Sequence, residues 1–131
     1  PFLEVKERIF ENSIGFVIYD KFAVSKGHCL IIPKREYPDY FDSTDEEIVG
    51  LNKLLFQTKE YLKQKYNPDG FNVGINSGEY AGQTKYGNIY WHCNAGQTVF
   101  HMHIHLIPRY KNDVDNPRGG VRNVIPGKGD Y

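Results

Sequence analysis

Only two cysteines, Cys29 and Cys93, occur in 131 residues, and they do not form a CxxC pair. That excludes a disulfide-built scaffold and a four-cysteine zinc module. No apolar run approaches the roughly 20 residues that span a bilayer. The opening PFLEVKERIF does not read as the apolar core of a secretory signal. A charge imbalance is missing too: 16 Lys and Arg are matched by 16 Asp and Glu, for a formal charge of +0. Nothing here has the electrostatic footprint of a DNA or RNA binder. These absences lead us to expect one cytoplasmic domain with no membrane and no long nucleic acid as partner. A hydrophobic fraction of 40% supplies a core for a chain of this size without covalent staples.

Hydrophobic alternation comes first along the chain. In SIGFVIYD, Ile14, Phe16 and Ile18 alternate with Gly15, Val17 and Tyr19, and the chain runs on toward HCLIIPK at 28 to 34. Together they predict an antiparallel hairpin with Asp20 near its turn. Ser43 with Glu46 makes a capping-box pattern, and Ile48, Leu51, Leu55 and Leu62 fall near one face of a helix running to about Tyr66. Asn67-Pro68-Asp69-Gly70 stops it. FNVGIN at 71 to 76 and TVFHMHIHLIP at 98 to 108 alternate again and predict two strands. Between them lies a loop of about 20 residues, rich in Gly, Tyr and Asn, longer than most connections in compact domains and so a functional candidate. From Lys111 the tail carries PRGG, VIPG and KGD, which predict an irregular closing segment. The class is α+β.

Three of the five histidines stand at His101, His103 and His105. On a strand they share one face, while Phe100, Met102, Ile104 and Leu106 share the other. A solvated strand face usually mixes Thr, Lys, Glu and Arg, so a uniform imidazole row asks for chemistry. Two chemistries use it. A zinc hydrolase built on His101 and His103 is one, but His101 and His105 would be roughly 13 Å apart at about 3.3 Å per residue, too far to share an ion. Nucleophilic catalysis is the other. Neutral imidazole attacks without prior deprotonation, and phosphorus forms transient bonds to nitrogen, which favours phosphoryl or nucleotidyl transfer.

HMHIHLI also resembles the His-x-His-x-His-x-x motif, with x hydrophobic, of the histidine triad (HIT) superfamily. VSKGHCLIIPKRE at 24 to 36, FNVGINSG at 71 to 78, AGQTVFHMHIHLIPR at 95 to 109 and NPRGGVRNVIP at 116 to 126 look like blocks of its bacterial and archaeal branch, described as diadenosine polyphosphate hydrolase-like. The resemblance implies an antiparallel sheet flanked by helices, commonly a homodimer, that binds a nucleotide and cleaves at its α-phosphorus. It makes His103 the nucleophile, with His101 orienting it, His105 binding phosphate and the bridging oxygen, and His28 supporting the triad. Asp20 matches the residue that binds the ribose hydroxyls. Asn76, Gln97 and Thr98 match phosphate-region positions, and we add Arg118 and Arg122 as candidates for distal phosphates.

Two departures stand out. AGQT occurs twice, at 81 to 84 and at 95 to 98. Because Thr98 directly precedes Val99, the second copy is in register with the histidines, and residues 85–98 read as an insertion in a HIT domain spanning 1–131, with 111–131 as its tail. Relatives in this branch often open with a Cys-Pro-Phe-Cys pair suited to zinc, whereas this chain opens Pro1-Phe2-Leu3-Glu4. We therefore expect no structural zinc and no cofactor. The expected function is a nucleotide hydrolase or nucleotidyl transferase acting on dinucleoside polyphosphates. The alternatives are a nucleoside phosphoramidase and a nucleotide-binding protein with little turnover.

Overall fold

In the computed structural model the alternating segment SIGFVIYD folds as the middle of a meander, and the structure describes residues 7–83 and 100–129. A short strand β1 (Phe10–Glu11) leads into β2 (Gly15–Tyr19) and β3 (Cys29–Pro33). After them come the helix α1 (Asp45–Tyr66) and strands β4 (Gly70–Gly74) and β5 (Ile104–Arg109), with three short 3-10 segments among the described residues. The sheet runs β1-β2-β3-β5-β4, and every neighbouring pair is antiparallel. This is the α+β architecture expected, an antiparallel sheet with α1 lying against one face.

Helix α1 is set at both ends by local chemistry. Its capping box is one residue later than Ser43 and Glu46 suggested. Thr44 Oγ1 accepts from the Glu47 amide at 3.1 Å, and Glu47 Oε1 accepts from the Thr44 amide at 2.9 Å. The shift has a cause: Glu47 is also held by Arg35 at 2.7 Å, while the Ser43 hydroxyl is engaged with Tyr37 Oη at 2.8 Å. At the other end Asn67 takes a left-handed conformation at φ 49° and closes the helix before Pro68. Leu51, Leu54 and Leu62 of the helix join Val17, Ile31, Ile104 and Leu106 of the sheet in one buried core.

That packing assigns the faces. Leu106 and Ile104 point into the core, so His105, which stands opposite Leu30 on β3 and Gly74 on β4, points to the other side. Ile18 stands opposite Leu30 in turn. A row of Ile18, Leu30 and His105 therefore crosses the sheet on the face away from α1.

The fifth strand starts later than the alternation of TVFHMHIHLIP predicts. β5 begins at Ile104, and His101 and His103 precede it. The ladder ends there for a physical reason. The Pro33 carbonyl bonds to the His101 imidazole, and the Met102 amide donates to Tyr37 O at 2.8 Å in the segment beyond β3. Proline also has no amide with which to continue a ladder.

Candidate active site

Each histidine of the triad is oriented by a different partner, and the partners fix where the protons sit. His101 is buried, and its Nε2 lies 3.1 Å from the Pro33 carbonyl. A carbonyl only accepts, so His101 carries its proton on Nε2. His103 Nδ1 lies 2.9 Å from the His101 carbonyl, and by the same logic holds a proton there. Its Nε2 is left with the lone pair. That is the nitrogen a nucleophile needs.

A second chain of bonds sets His105. The Val24 amide donates to His28 Nδ1 at 3.1 Å, so that nitrogen must be bare and the His28 proton lies on Nε2. His28 Nε2 is 2.9 Å from His105 Nδ1, to which it donates. His105 is left to carry its own proton on Nε2. Thus His103 presents a lone pair and His105 an N–H, with ring centroids 5.0 Å apart. One attacks and the other donates to an oxygen near the point of attack.

Asp20 completes the group. It follows β2 directly, its amide donates to the His28 carbonyl at 2.9 Å, and it is 8% exposed. Oδ1 accepts from the Phe22 amide at 2.8 Å. Oδ2 lies 3.4 Å from His28 Nε2 and 3.9 Å from His105 Nδ1.

Burial keeps the histidines neutral. It brings His101 down to about 4 against the upward pull of the Pro33 carbonyl. It also brings His105 down to about 4, with His103 and His28 adding to the shift and Asp20 opposing it. His28 and His103 are lowered chiefly by burial as well, each opposed in part by Asp20.

Ligand atoms of Asp20, His28 and His105 lie within 4.8 Å of one another, a spacing that suits a cation. The donor set does not fit one. A metal at His28 Nε2 would require the proton to move to Nδ1, where the Val24 amide already needs the lone pair. The one group of three such ligands among the described residues is Asp20, His28 and His105, and it includes neither His101 nor His103.

The structure thus brings His28, His101, His103, His105 and Asp20 together. Asn76 lies exposed two residues past Gly74, beside Gly82 in the following loop. Gln97 and Thr98, with the whole segment 85–98, lie outside the described residues. In the first AGQT copy, Gln83 is buried: its amide nitrogen donates to the Pro38 carbonyl, and its oxygen accepts from the Gly78 amide at 2.9 Å. Ser77 donates in the same loop to Asp39 at 2.8 Å. Arg118 and Arg122 are exposed, the first two residues ahead of the 3-10 turn Gly120–Val124 and the second within it. Gly120 sits beside Asn72, which stands opposite Ile107 and so shares the face of His105. The tail is on the histidine side of the sheet.

Motif reading missed the backbone partners. The Val24 amide and the Pro33 and His101 carbonyls fix the tautomers, and no side-chain pattern announces them. Proximity in sequence was the available signal, since Val24 is four residues from His28.

Comparison with known proteins assigns the family. The model of the HIT domain matches residues 4–93, more than half the chain. The chain belongs to the HIT family. It is similar to a bis(5'-adenosyl)-triphosphatase of Dictyostelium discoideum, 34% identical over 84% of this chain and 64% of that protein. It is also similar to an uncharacterized HIT-like protein of Methanocaldococcus jannaschii, 32% identical over 88% of this chain and 79% of the other. Its fold matches a crystal structure of a HIT family protein from Bacillus anthracis with a TM-score of 0.67 and 35% identity, covering 81% of this chain and 65% of that one. The chain spans just under two thirds of the length of several relatives, 62% and 64% in two cases. Among the described residues no helix is long and apolar enough to cross a membrane.

Proposed function

We propose that this protein is a nucleotide hydrolase or nucleotidyl transferase that cleaves at the α-phosphorus through a covalent intermediate on His103. One observation carries the reading: the His103 lone pair on Nε2 stands beside the His105 Nε2–H, because their Nδ1 atoms are committed to His101 O and His28. In the first step His103 Nε2 bonds to phosphorus as the bond to the leaving group breaks, and His105 donates to the departing atom. Water then attacks phosphorus and the electron pair returns to His103. A cavity of about 650 Å³ runs from Asp20 between Phe10, Ile18, Tyr19 and Tyr61, with Arg8 on its rim. Its size suits a nucleoside, with Ile18 and Asp20 on the histidine face and the rings of Phe10, Tyr19 and Tyr61 on the α1 side.

The preferred substrates we propose are dinucleoside polyphosphates. Arg118 and Arg122 stand on either side of Gly120, which sits beside Asn72 on the His105 face, and guanidinium groups suit additional phosphates, whereas they do nothing for a small amine. The similarity to a bis(5'-adenosyl)-triphosphatase supports the same choice. The competing class is nucleoside phosphoramidates. Comparing kcat/KM for diadenosine tetraphosphate and adenosine 5'-phosphoramidate in one preparation decides between them. A preference of tenfold or more for the phosphoramidate, about 1.4 kcal/mol, overturns the substrate and leaves the nucleophile.

A homodimer is part of this proposal. Strand β4 is an edge of the sheet, and beside it a groove of Leu55, Phe56, Phe71 and Val73 is open, with Phe56 72% exposed. Light scattering on the purified chain should give twice the monomer mass; a monomer at micromolar concentration rejects the dimer.

A further inference from the structure

Asp20 is buried, and both of its oxygens already face groups of the protein. Oδ1 is held by the Phe22 amide, and Oδ2 faces the line between His28 and His105. In the free protein this carboxylate is a bystander to the bond it faces, since His28 donates to His105 at 2.9 Å and the carboxylate is farther from both. A buried acid next to a bond it does not share asks what other state it serves.

That state is the protonated one. If His105 takes a proton on Nδ1, the His28–His105 bond fails, because both facing nitrogens then carry hydrogens. His28 cannot yield its own: Nδ1 is already an acceptor for Val24, and losing the Nε2 proton would leave an imidazolate. Among the described residues, the acceptor that can satisfy both N–H groups is Asp20 Oδ2, which has two lone pairs and already lies 3.4 Å from one nitrogen and 3.9 Å from the other.

We infer that Asp20 is a positioning residue that lets the His28–His105 pair take up one proton when a nucleotide binds, making His105 an acid for the leaving group. The inference rests on the nucleotidyl-transfer reading above. The groups that face His105 among the described residues are Asp20 just after β2, His28 just before β3, and its own neighbour His103; Asp20 is the one carboxylate among them. In the free protein burial and the two neighbouring imidazoles outweigh that carboxylate, so the pair rests neutral. The anionic phosphate adds the second negative charge beside His105 and tips the balance.

The cycle then closes. As His103 Nε2 bonds to phosphorus and the bond to the leaving group breaks, the His105 Nε2 proton passes to the leaving atom, and His105 becomes neutral with its proton on Nδ1 still directed at Asp20. Water then attacks phosphorus, its proton goes to His105 Nε2, and the electron pair of the N–P bond returns to His103. His105 is again protonated, so the proton taken up at binding is conserved through both steps of that turnover and is released with the product. A carboxylate kept only for the ribose would affect all substrates alike. One that maintains the acid matters most where the leaving group is basic.

The decisive comparison uses the phenyl and p-nitrophenyl esters of AMP, which differ in leaving-group basicity but hardly in shape, with wild-type and Asp20→Asn protein. We expect kcat for the phenyl ester to fall at least tenfold more than kcat for the nitrophenyl ester, and Asp20→Glu to restore part of that difference. Equal losses with both esters overturn the inference in favour of a ribose-binding or merely structural role. A measurement free of variants accompanies it: imidazole nitrogen NMR of the wild-type protein at neutral pH, with and without the methyl ester of AMP, whose phosphodiester does not titrate there. Both His105 nitrogens should become protonated on binding while His28 keeps its Nε2 proton; a His105 that stays neutral overturns the inference. Absence of a nucleotidylated His103 would instead sink the parent reading, and neither of these readouts depends on it.

Discussion

His28 Nε2 lies 2.9 Å from His105 Nδ1 across a separation of 77 residues, and that contact decides which nitrogen of His105 faces the substrate. The Val24 amide sets the His28 tautomer and His28 sets that of His105, so a turn between β2 and β3 governs chemistry on β5. His28→Phe should keep the ring volume and remove the relay. We expect the protein to remain folded while kcat falls about 10 to 100-fold, the range for loss of a group that orients a reacting residue; a variant with unchanged kcat would show that His105 needs no such guide.

The two AGQT copies should separate by readout. Gln83→Ala removes a buried side chain that bonds Pro38 O and the Gly78 amide, and should cost about 1–3 kcal/mol in urea unfolding. Gln97→Ala, at the position in register with the histidines, should lower kcat/KM with stability unchanged. The opposite pattern would assign the phosphate-side role to the first copy.

Deleting residues 85–98 joins Thr84 to Val99 and restores a single AGQT before the histidines. A cooperative unfolding transition should survive, because shortening a loop changes closure entropy by less than about 1 kcal/mol. Loss of folding would refute the reading of that segment as an insertion.

Gly50 of α1 faces Ile14, and a Cβ there would lie 2.5 Å from Ile14 Cγ1 and 2.6 Å from its Cβ. Alanine favours a helix by about 1 kcal/mol, yet overpacking of this kind costs about 1–3 kcal/mol, and Ile14 contributes its branched carbons rather than a flexible tip. Gly50→Ala should therefore destabilise, as read by the urea midpoint; a gain would mean that Ile14, just ahead of β2, moves away from the helix without cost.

Much of this was legible in the sequence. Alternation at Ile14 to Ile18 and at Phe71 to Ile75 marked strands, and the Asn67-Pro68-Asp69-Gly70 stop marked the end of α1, because those signals are local. The late start of β5 was not legible, since it depends on the Pro33 carbonyl being taken by His101, 68 positions away. The cap moved from Ser43 to Thr44 because Arg35 and Tyr37 compete for the polar side chains, which spacing alone does not reveal. His28 was legible through its likeness to a family position. The inward-facing Asp20 was not: at a turn an acid reads as exposed, and here the Phe22 amide and two imidazoles hold it in.

Stability should fall with acid in a defined window. Burial lowers His101 and His105 to about 4 in the folded chain, below the ordinary value of about 6.5. Between those values the unfolded chain binds more protons than the folded one, so stability is full above about pH 6.5 and is lost as pH falls toward 4. The slope approaches about 1.4 kcal/mol per pH unit for each such group. Urea midpoints measured from pH 7.5 to 4.5 check this; a flat profile would mean that these imidazoles are not buried neutral.

The central claim is the bond between His103 Nε2 and phosphorus. Mixing enzyme in excess with diadenosine tetraphosphate, quenching in base within the first turnover and mapping the modified peptide by mass spectrometry tests it directly. The expected result is one AMP unit on His103, appearing before free AMP and absent in His103→Asn, which should still bind nucleotide. Full turnover with no adduct, or an adduct on His101 or His105, would contradict it.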